Sequence, residues 1–130
     1  MHKVHNPAGI AGPVSPAYSH GIEVPPGARW LTISGQVGVT PDGKIAEGIA
    51  AQADQAWKNI VAILESAGMG LEDVVKVTTF LTSKDYIPAA REVRGRYQAA
   101  GYRPASTLLV VAGLASPDYL IEIEVTAAKA

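Results

Sequence analysis

Two glutamates near the end of the chain are the residues best suited to chemistry. Glu122 and Glu124 alternate with apolar residues in the segment 120–125, the pattern of a β-strand. Because successive side chains on a strand point to opposite faces, both carboxylates share one face. A carboxylate in a cleft can orient or deprotonate a water molecule. Two glutamates on a strand face can equally form a solvated surface, and the pattern alone leaves both interpretations open.

A second polar feature precedes another predicted strand. Leu108 to Val111 is a continuous apolar run, which predicts a strand buried on both faces. It follows Pro104-Ala105-Ser106-Thr107, and a turn at 115–118 separates it from the strand with the two glutamates. The tail of the chain is therefore expected to bring hydroxyl and carboxylate groups into one sheet.

These segments resemble the RidA family, also called the YjgF or liver perchloric-acid-soluble protein family. That family has Pro-Ala-Arg-Ser before a buried strand and Glu-Ile-Glu in its last strand. The second motif is intact here as Glu122-Ile123-Glu124, whereas Ser106 stands at the position of the arginine. The resemblance covers nearly the whole chain, and its other matching positions are Tyr18-Ser19, Ser34-Gly35-Gln36, Gln52, Asn59 and the run 75–79.

The resemblance implies an enzyme that hydrolyses reactive imines and enamines derived from amino acids. It implies that Glu122 positions the attacking water, and that Tyr18, Ser34, Gly35 and Ser106 line the ligand site. The family's arginine holds the substrate carboxylate through a bidentate fork. Ser106 offers only a neutral hydrogen bond, and losing a charge-assisted one costs about 1.5–3 kcal/mol. We therefore expect weak or no activity on 2-iminopropanoate-like substrates, and an increase on Ser106→Arg.

Another cation could replace the missing arginine. Arg103 is the nearest substitute in the sequence, three residues before Ser106. Arg94 and Arg96, in a predicted helix, are weaker candidates for the same role, and we interpret each rather as a solvated charge. Gln52 and Asn59 match polar positions of the family but are also interpreted as surface residues.

The order of predicted elements gives the fold class. A helix over 49–67 is indicated by apolar residues at spacings of three and four, with Gly68 as its left-handed end. A strand over 29–33 precedes this helix and ends in Ser34-Gly35-Gln36, where the glycine indicates a bulge or a close approach of the backbone to another group. A strand over 74–81 and a second helix that begins after Ser83 follow. Strands joined by hairpins and helical crossovers predict an α+β fold, a mixed sheet with both helices on one face. The resemblance implies the same chorismate-mutase-like fold.

The other sheet face is expected to be open and apolar, so that copies of the chain would cover it. The resemblance implies a homotrimer with ligand clefts between its subunits. The composition, 48% hydrophobic and 18% charged, is consistent with such an interface. A length of 130 residues predicts one domain over 1–130.

Composition also limits the functional classes. The net charge is −1 with scattered cations, which argues against nucleic acid as a partner. There is no cysteine, and His2, His5 and His20 lack metal-ligand spacing, so neither a metal nor another cofactor is expected. Without a signal peptide or a long apolar run, we expect a soluble cytoplasmic protein with no membrane partner.

Three functions remain open at this point. The first is a hydrolase or deaminase with a non-standard imine or enamine substrate, whose specificity differs because of Ser106. The second is a non-catalytic module that binds or senses a small metabolite in the same inter-subunit cleft. The third is a ribonuclease, a label attached to the family, against which the charge distribution argues.

Overall fold

The computed structural model describes residues 2–130 and confirms the α+β class. A short pair of strands comes first, β1 (Lys3–His5) and β2 (Gly21–Glu23). The main domain follows with β3 (Arg29–Val37), α1 (Ile49–Ser66), β4 (Val74–Leu81), α2 (Ile87–Gly95), β5 (Ala105–Val110) and β6 (Ile121–Lys129).

The main sheet has the order β3-β6-β4-β5. The β6 strand runs antiparallel to both of its neighbours, whereas β4 and β5 are parallel because α2 provides the crossover between them. Both helices lie on one face of this mixed sheet, as predicted. Every second side chain of β4 and β6 points into the core beneath α1, which is why Ile121, Ile123 and Val125 are buried.

The first helix forms as its apolar periodicity predicts. Ala53, Ala56, Ile60 and Leu64 are completely buried along one side of α1. The helix ends at Ser66, and Gly68 follows it with a φ of 68°, the left-handed conformation expected there.

The interpretation of Gln52 and Asn59 as surface polar residues is wrong. Gln52 is only 2% exposed, because its amide donates to the carbonyls of Ala46 and Asp118 and accepts from the Leu120 amide. Asn59 donates to the carbonyls of Val37 and Val39. Both side chains replace backbone hydrogen bonds that the ends of β3 and β6 lack, which is a structural role.

Two element boundaries differ from the sequence prediction. The β3 strand does not end at Ile33 but continues to Val37 through a bulge, where its register with β6 shifts. Ser83 caps a 3-10 turn, Lys84–Tyr86, rather than the second helix, which begins at Ile87 and ends at Gly95. Pro88 fits the first turn of α2, where a backbone N–H would have no helical partner.

The strand β5 is not buried on both faces, contrary to the prediction. Leu109 and Val110 are 41% and 50% exposed, because β5 is the edge strand of the sheet. On its outer side, among residues 2–130, it forms only a single bridge, between Ala105 and Ser19. The apolar run that suggested a central strand therefore lies at an unpaired edge.

The sheet face opposite the helices is open, as predicted, but it is not mainly apolar. Strand alternation places four threonines, both glutamates and a lysine on it, together with Phe80 and Leu109. The polar members are Thr32, Lys76, Thr78, Thr107, Glu122, Glu124 and Thr126. Trp30, 58% exposed, lies at one end of this face.

Candidate functional site

Glu122 lies on the open sheet face beside the bulge in β3. It is half-buried and pairs with Val37 and Phe80 on the two neighbouring strands. A β-carbon built on Gly35 would lie 2.7 Å from Glu122 Cδ and 2.9 Å from Cγ, and closer still to Oε2. The carboxylate therefore occupies space that exists only because residue 35 is glycine. Ser34, the other predicted site residue of the bulge, is exposed beside it.

The Glu122 carboxylate has no fixed partner in the part of the chain that the structure describes. No donor among residues 2–130 forms a hydrogen bond or an ion pair with it. Glu124, two residues later, is fully exposed on the same face. The predicted common face is thus confirmed, and only Glu122 is packed against another strand.

A cavity of about 140 Å³ lies on the other side of the sheet, between α2 and β5. Its wall is mostly apolar and includes Trp57, Ala90, Leu108, Ile121 and Ile123. Its polar side chains come from Tyr18, Thr79, Arg91, Arg94, Gln98 and Ser106. An apolar chamber with a few convergent polar groups is the usual form of a small-molecule site.

Arg94 is the cation of this cavity, and its interpretation as a solvated charge is wrong. The side chain is largely removed from solvent, and Nη1 donates to Ser106 Oγ at 2.7 Å. Nη2 donates to the Ala17 carbonyl at 3.3 Å. Burial, and secondarily the nearby charge of Arg103, lowers the pKa of Arg94 to about 10. The guanidinium therefore stays protonated at neutral pH. Arg96, in contrast, is exposed and bonds Glu92 on its own helix, as a solvated charge would.

The segment 14–18 closes one side of the cavity. Arg94 and Gln98 both donate to the Ala17 carbonyl, with Gln98 at 2.7 Å, and this fixes the backbone next to Tyr18. The Tyr18 hydroxyl accepts from the Val14 amide at 3.2 Å. Tyr18 is thereby held at the cavity wall, in a segment anchored by the C-terminal end of α2.

Arg103 does not line this cavity. Its Nε donates to the Pro16 carbonyl and Nη1 to the Tyr102 carbonyl. It lines an adjoining open groove together with Tyr18 and Ser19. Arg103 thus holds the segment before Tyr18 and adds positive charge near Arg94.

A single chain places the predicted site residues in two separate groups, here called half-sites, on opposite faces of the sheet. Glu122, Gly35 and Ser34 lie on the open face, whereas Tyr18, Ser106 and Arg94 surround the cavity on the helical side. Sequence reasoning ranked Arg94 below Arg103 as a substitute cation, because the position of α2 beside the cavity depends on tertiary packing. The only indication in the sequence was that Arg94 belongs to the helix that precedes Pro104-Ala105-Ser106-Thr107.

The histidines make other contacts. His5 bonds the Glu23 carboxylate at 2.6 Å, and His20 bonds the Ala11 carbonyl at 2.7 Å. Among residues 2–130 no group of three His, Asp or Glu side chains could hold a metal ion. Over the same residues, no helix has the length and apolar character needed to cross a membrane.

The chain is thus an α+β domain with a small, mostly apolar cavity beside the edge strand β5. Residues 11–129 match the family model described as Endoribonuclease L-PSP. The chain belongs to this family, which is the RidA or YjgF family.

Several relatives are similar over most of their length. A RutC family protein from Aquifex aeolicus is 38% identical over 119 residues, which cover 90% of this chain and 91% of the relative. A 2-iminobutanoate/2-iminopropanoate deaminase from Salmonella typhimurium is 38% identical over 118 residues, 86% of this chain and 87% of that protein. A solved structure of a Rid family protein of unknown function from Yersinia pestis superposes with a TM-score of 0.85 at 33% identity, covering 98% of both chains.

Proposed function

We propose that this protein is an imine hydrolase of the deaminase type, with a site completed by self-association into a homotrimer. The relative named 2-iminobutanoate/2-iminopropanoate deaminase supports the reaction class. The single observation that carries the proposal is the Glu122 carboxylate, which is held in the space above Gly35 and left without a partner among residues 2–130. Such a group is free to accept a proton from water.

The reaction follows from the chemistry of the C=N bond. Water adds to the imine carbon, and Glu122 accepts the proton that the water loses. The nitrogen takes up a proton from solvent to give the carbinolamine. Glu122 then gives its proton to this nitrogen, the C–N bond breaks to release ammonia, and the hydroxyl returns a proton to solvent as the carbonyl forms. The net change converts an imine and one water into a 2-oxo acid and ammonia. An enamine enters the same sequence after tautomerisation to the imine.

Self-association is part of the proposal because one chain keeps the half-sites apart. Glu122 and Ser106 lie on opposite faces of the sheet, with β4 between their strands. The exposed edge of β5 and the open sheet face are both free for contact in a single chain. We place Glu122 of one subunit against the cavity of the next, in a cleft between them.

The test is turnover of 2-iminobutanoate, produced in the assay from an amino acid by an auxiliary enzyme and followed as 2-oxobutanoate. The weak activity expected on such substrates assumed that no other cation replaces the arginine at residue 106, whereas Arg94 bonds Ser106 at the cavity wall. We expect Glu122→Gln to reduce the rate 100-fold or more, because general acid–base catalysis contributes about 10²–10⁴-fold. Glu124→Gln is the matched control, with the same chemical change on the same face, and should retain most of the rate. Full turnover by Glu122→Gln would contradict the mechanism.

A binding module is the second candidate function. The largely enclosed chamber with a charged group at its wall favours it, since such a chamber can hold a metabolite without converting it. It predicts that imines and oxo acids raise the melting temperature by mass action while no ammonia is released. Glu122→Gln would then leave that thermal shift unchanged.

A further inference from the structure

We propose that Arg94, oriented by Ser106, is the carboxylate-binding residue of the cavity. Its ligand is a small 2-oxo or 2-imino carboxylate with a short apolar side chain. The choice of imine rests on the proposed function. The anion site itself rests on the contacts of Arg94.

Arg94 is a largely buried cation without a neutralising acid. No carboxylate oxygen among residues 2–130 lies within 4.0 Å of its guanidinium. Arg103 is a neighbouring cation, and its positive charge adds to burial in lowering the pKa of Arg94. Buried charges are normally paired, so an anionic ligand would supply what the chain itself does not.

The hydrogen bonds of Arg94 fix its orientation and leave donors free. Ser106 Oγ and the Ala17 carbonyl each accept one N–H, out of the five that a guanidinium carries. The remaining N–H groups suit the two oxygens of a carboxylate. Ser106 thus contributes to anion binding by holding a cation from α2 rather than by supplying the charge itself.

The rest of the cavity fits the remainder of such a ligand. Trp57, Leu108, Ile121 and Ile123 give an apolar wall, which suits a short hydrocarbon side chain. Thr79, which is 5% exposed, places a hydroxyl among them and can bond a carbonyl or imine nitrogen. A volume of about 140 Å³ is several times a water's share of about 30 Å³, so it admits a small metabolite.

The experiment compares two probes that differ only in charge. Calorimetric titration measures the affinity of the full chain for 2-oxobutanoate and for its neutral analogue, 2-oxobutanamide. We expect the wild type to prefer the carboxylate at least tenfold. Arg94→Gln should lose about tenfold to 100-fold for the carboxylate, the value of a charged hydrogen bond, and at most about twofold for the amide.

Two further variants separate charge from structure. Arg94→Lys keeps the charge without the fork and should retain part of the preference for the carboxylate. Arg96→Gln removes an exposed arginine of the same helix region and should bind both probes as the wild type does. Equal affinity of the wild type for both probes, or an undiminished carboxylate preference in Arg94→Gln, would overturn the proposal.

The outcome is distinguishable from that of the proposed function. If 2-oxobutanoate binds through Arg94 but 2-iminobutanoate is not hydrolysed, the anion site is supported and the hydrolase is refuted. If 2-iminobutanoate is hydrolysed equally by the wild type and Arg94→Gln, the hydrolase is supported and this role of Arg94 is refuted.

Discussion

The Glu122 carboxylate lies over Gly35, in the space that the β-carbon of any other residue would fill. The bulge in β3 creates this arrangement, because the register between β3 and β6 shifts between Ile33 and Gln36. Gly35 therefore selects one position for the side chain that we propose to be the general base.

Gly35→Ala should displace Glu122 and lower turnover about 10- to 100-fold, since misplacement by about 1 Å can cost this much. The nearest atoms are the end of a flexible side chain, so the free energy of unfolding should change by less than about 1 kcal/mol. Steady-state kinetics and urea unfolding measure the two effects.

Gly113→Ala is the matched control, because a β-carbon at that position meets no atom within 4 Å. Gly35→Ala in a Glu122→Gln background should cause little further loss, since the two changes act on one group. If the double variant loses turnover by the product of the two single losses, Gly35 acts independently of Glu122.

The sequence predicted the parts that depend on local pattern. The helix α1, the strand β4 and the common face of Glu122 and Glu124 follow from periodicity, which is a property of neighbouring residues. The bulge was indicated by Gly35, because a glycine within a strand often marks one.

The contacts between distant residues could not be predicted in this way. Leu109 and Val110 are apolar but lie at a sheet edge. The composition of a strand does not determine its position in the sheet, because that position depends on which other strands pair with it. Arg94 reaches Ser106, 12 residues later in the chain, because packing against α1 holds α2 beside β5. Gln52 looks like a surface residue until the loop before β6 folds over it.

The affinity for 2-oxobutanoate should depend on pH through Arg94. The pKa of Arg94 is lowered to about 10 by burial, and only the protonated guanidinium attracts a carboxylate. Affinity should therefore be constant from pH 7 to pH 9 and decrease as the pH rises through about 10. Titration calorimetry at these pH values tests this, and Arg94→Gln is the control. In that variant the affinity for 2-oxobutanoate should change with pH no more than the affinity for the amide probe does.

Moving the arginine back to residue 106 should restore the binding of the carboxylate. In the double variant Arg94→Gln, Ser106→Arg, the cavity again contains one guanidinium, now on β5 instead of α2. We expect the affinity for 2-oxobutanoate to recover to within about tenfold of the wild type, since the charge-assisted bond is replaced. Affinity no better than that of Arg94→Gln alone would show that the position of the cation is decisive.

Gln52→Glu should destabilise the fold by about 2–4 kcal/mol. The new carboxylate can still accept from the Leu120 amide, but the carbonyls of Ala46 and Asp118 lose their donor in a buried place. Urea unfolding measures the change, and Glu65→Gln, on the exposed side of α1, is the control. A change below about 0.5 kcal/mol would contradict the structural role of Gln52.

The central claim is that Glu122 of one subunit and Arg94 of the next complete one active site. Mixing Glu122→Gln and Arg94→Gln subunits, by unfolding and refolding them together, tests it most directly. The assay uses a substrate concentration at which each variant alone is nearly inactive. With random assembly, about a quarter of the clefts in a cyclic trimer receive both unaltered residues, so about a quarter of the wild-type 2-iminobutanoate turnover should return. If the mixed assembly, verified as a trimer by light scattering, is no more active than its parents, the shared site is wrong.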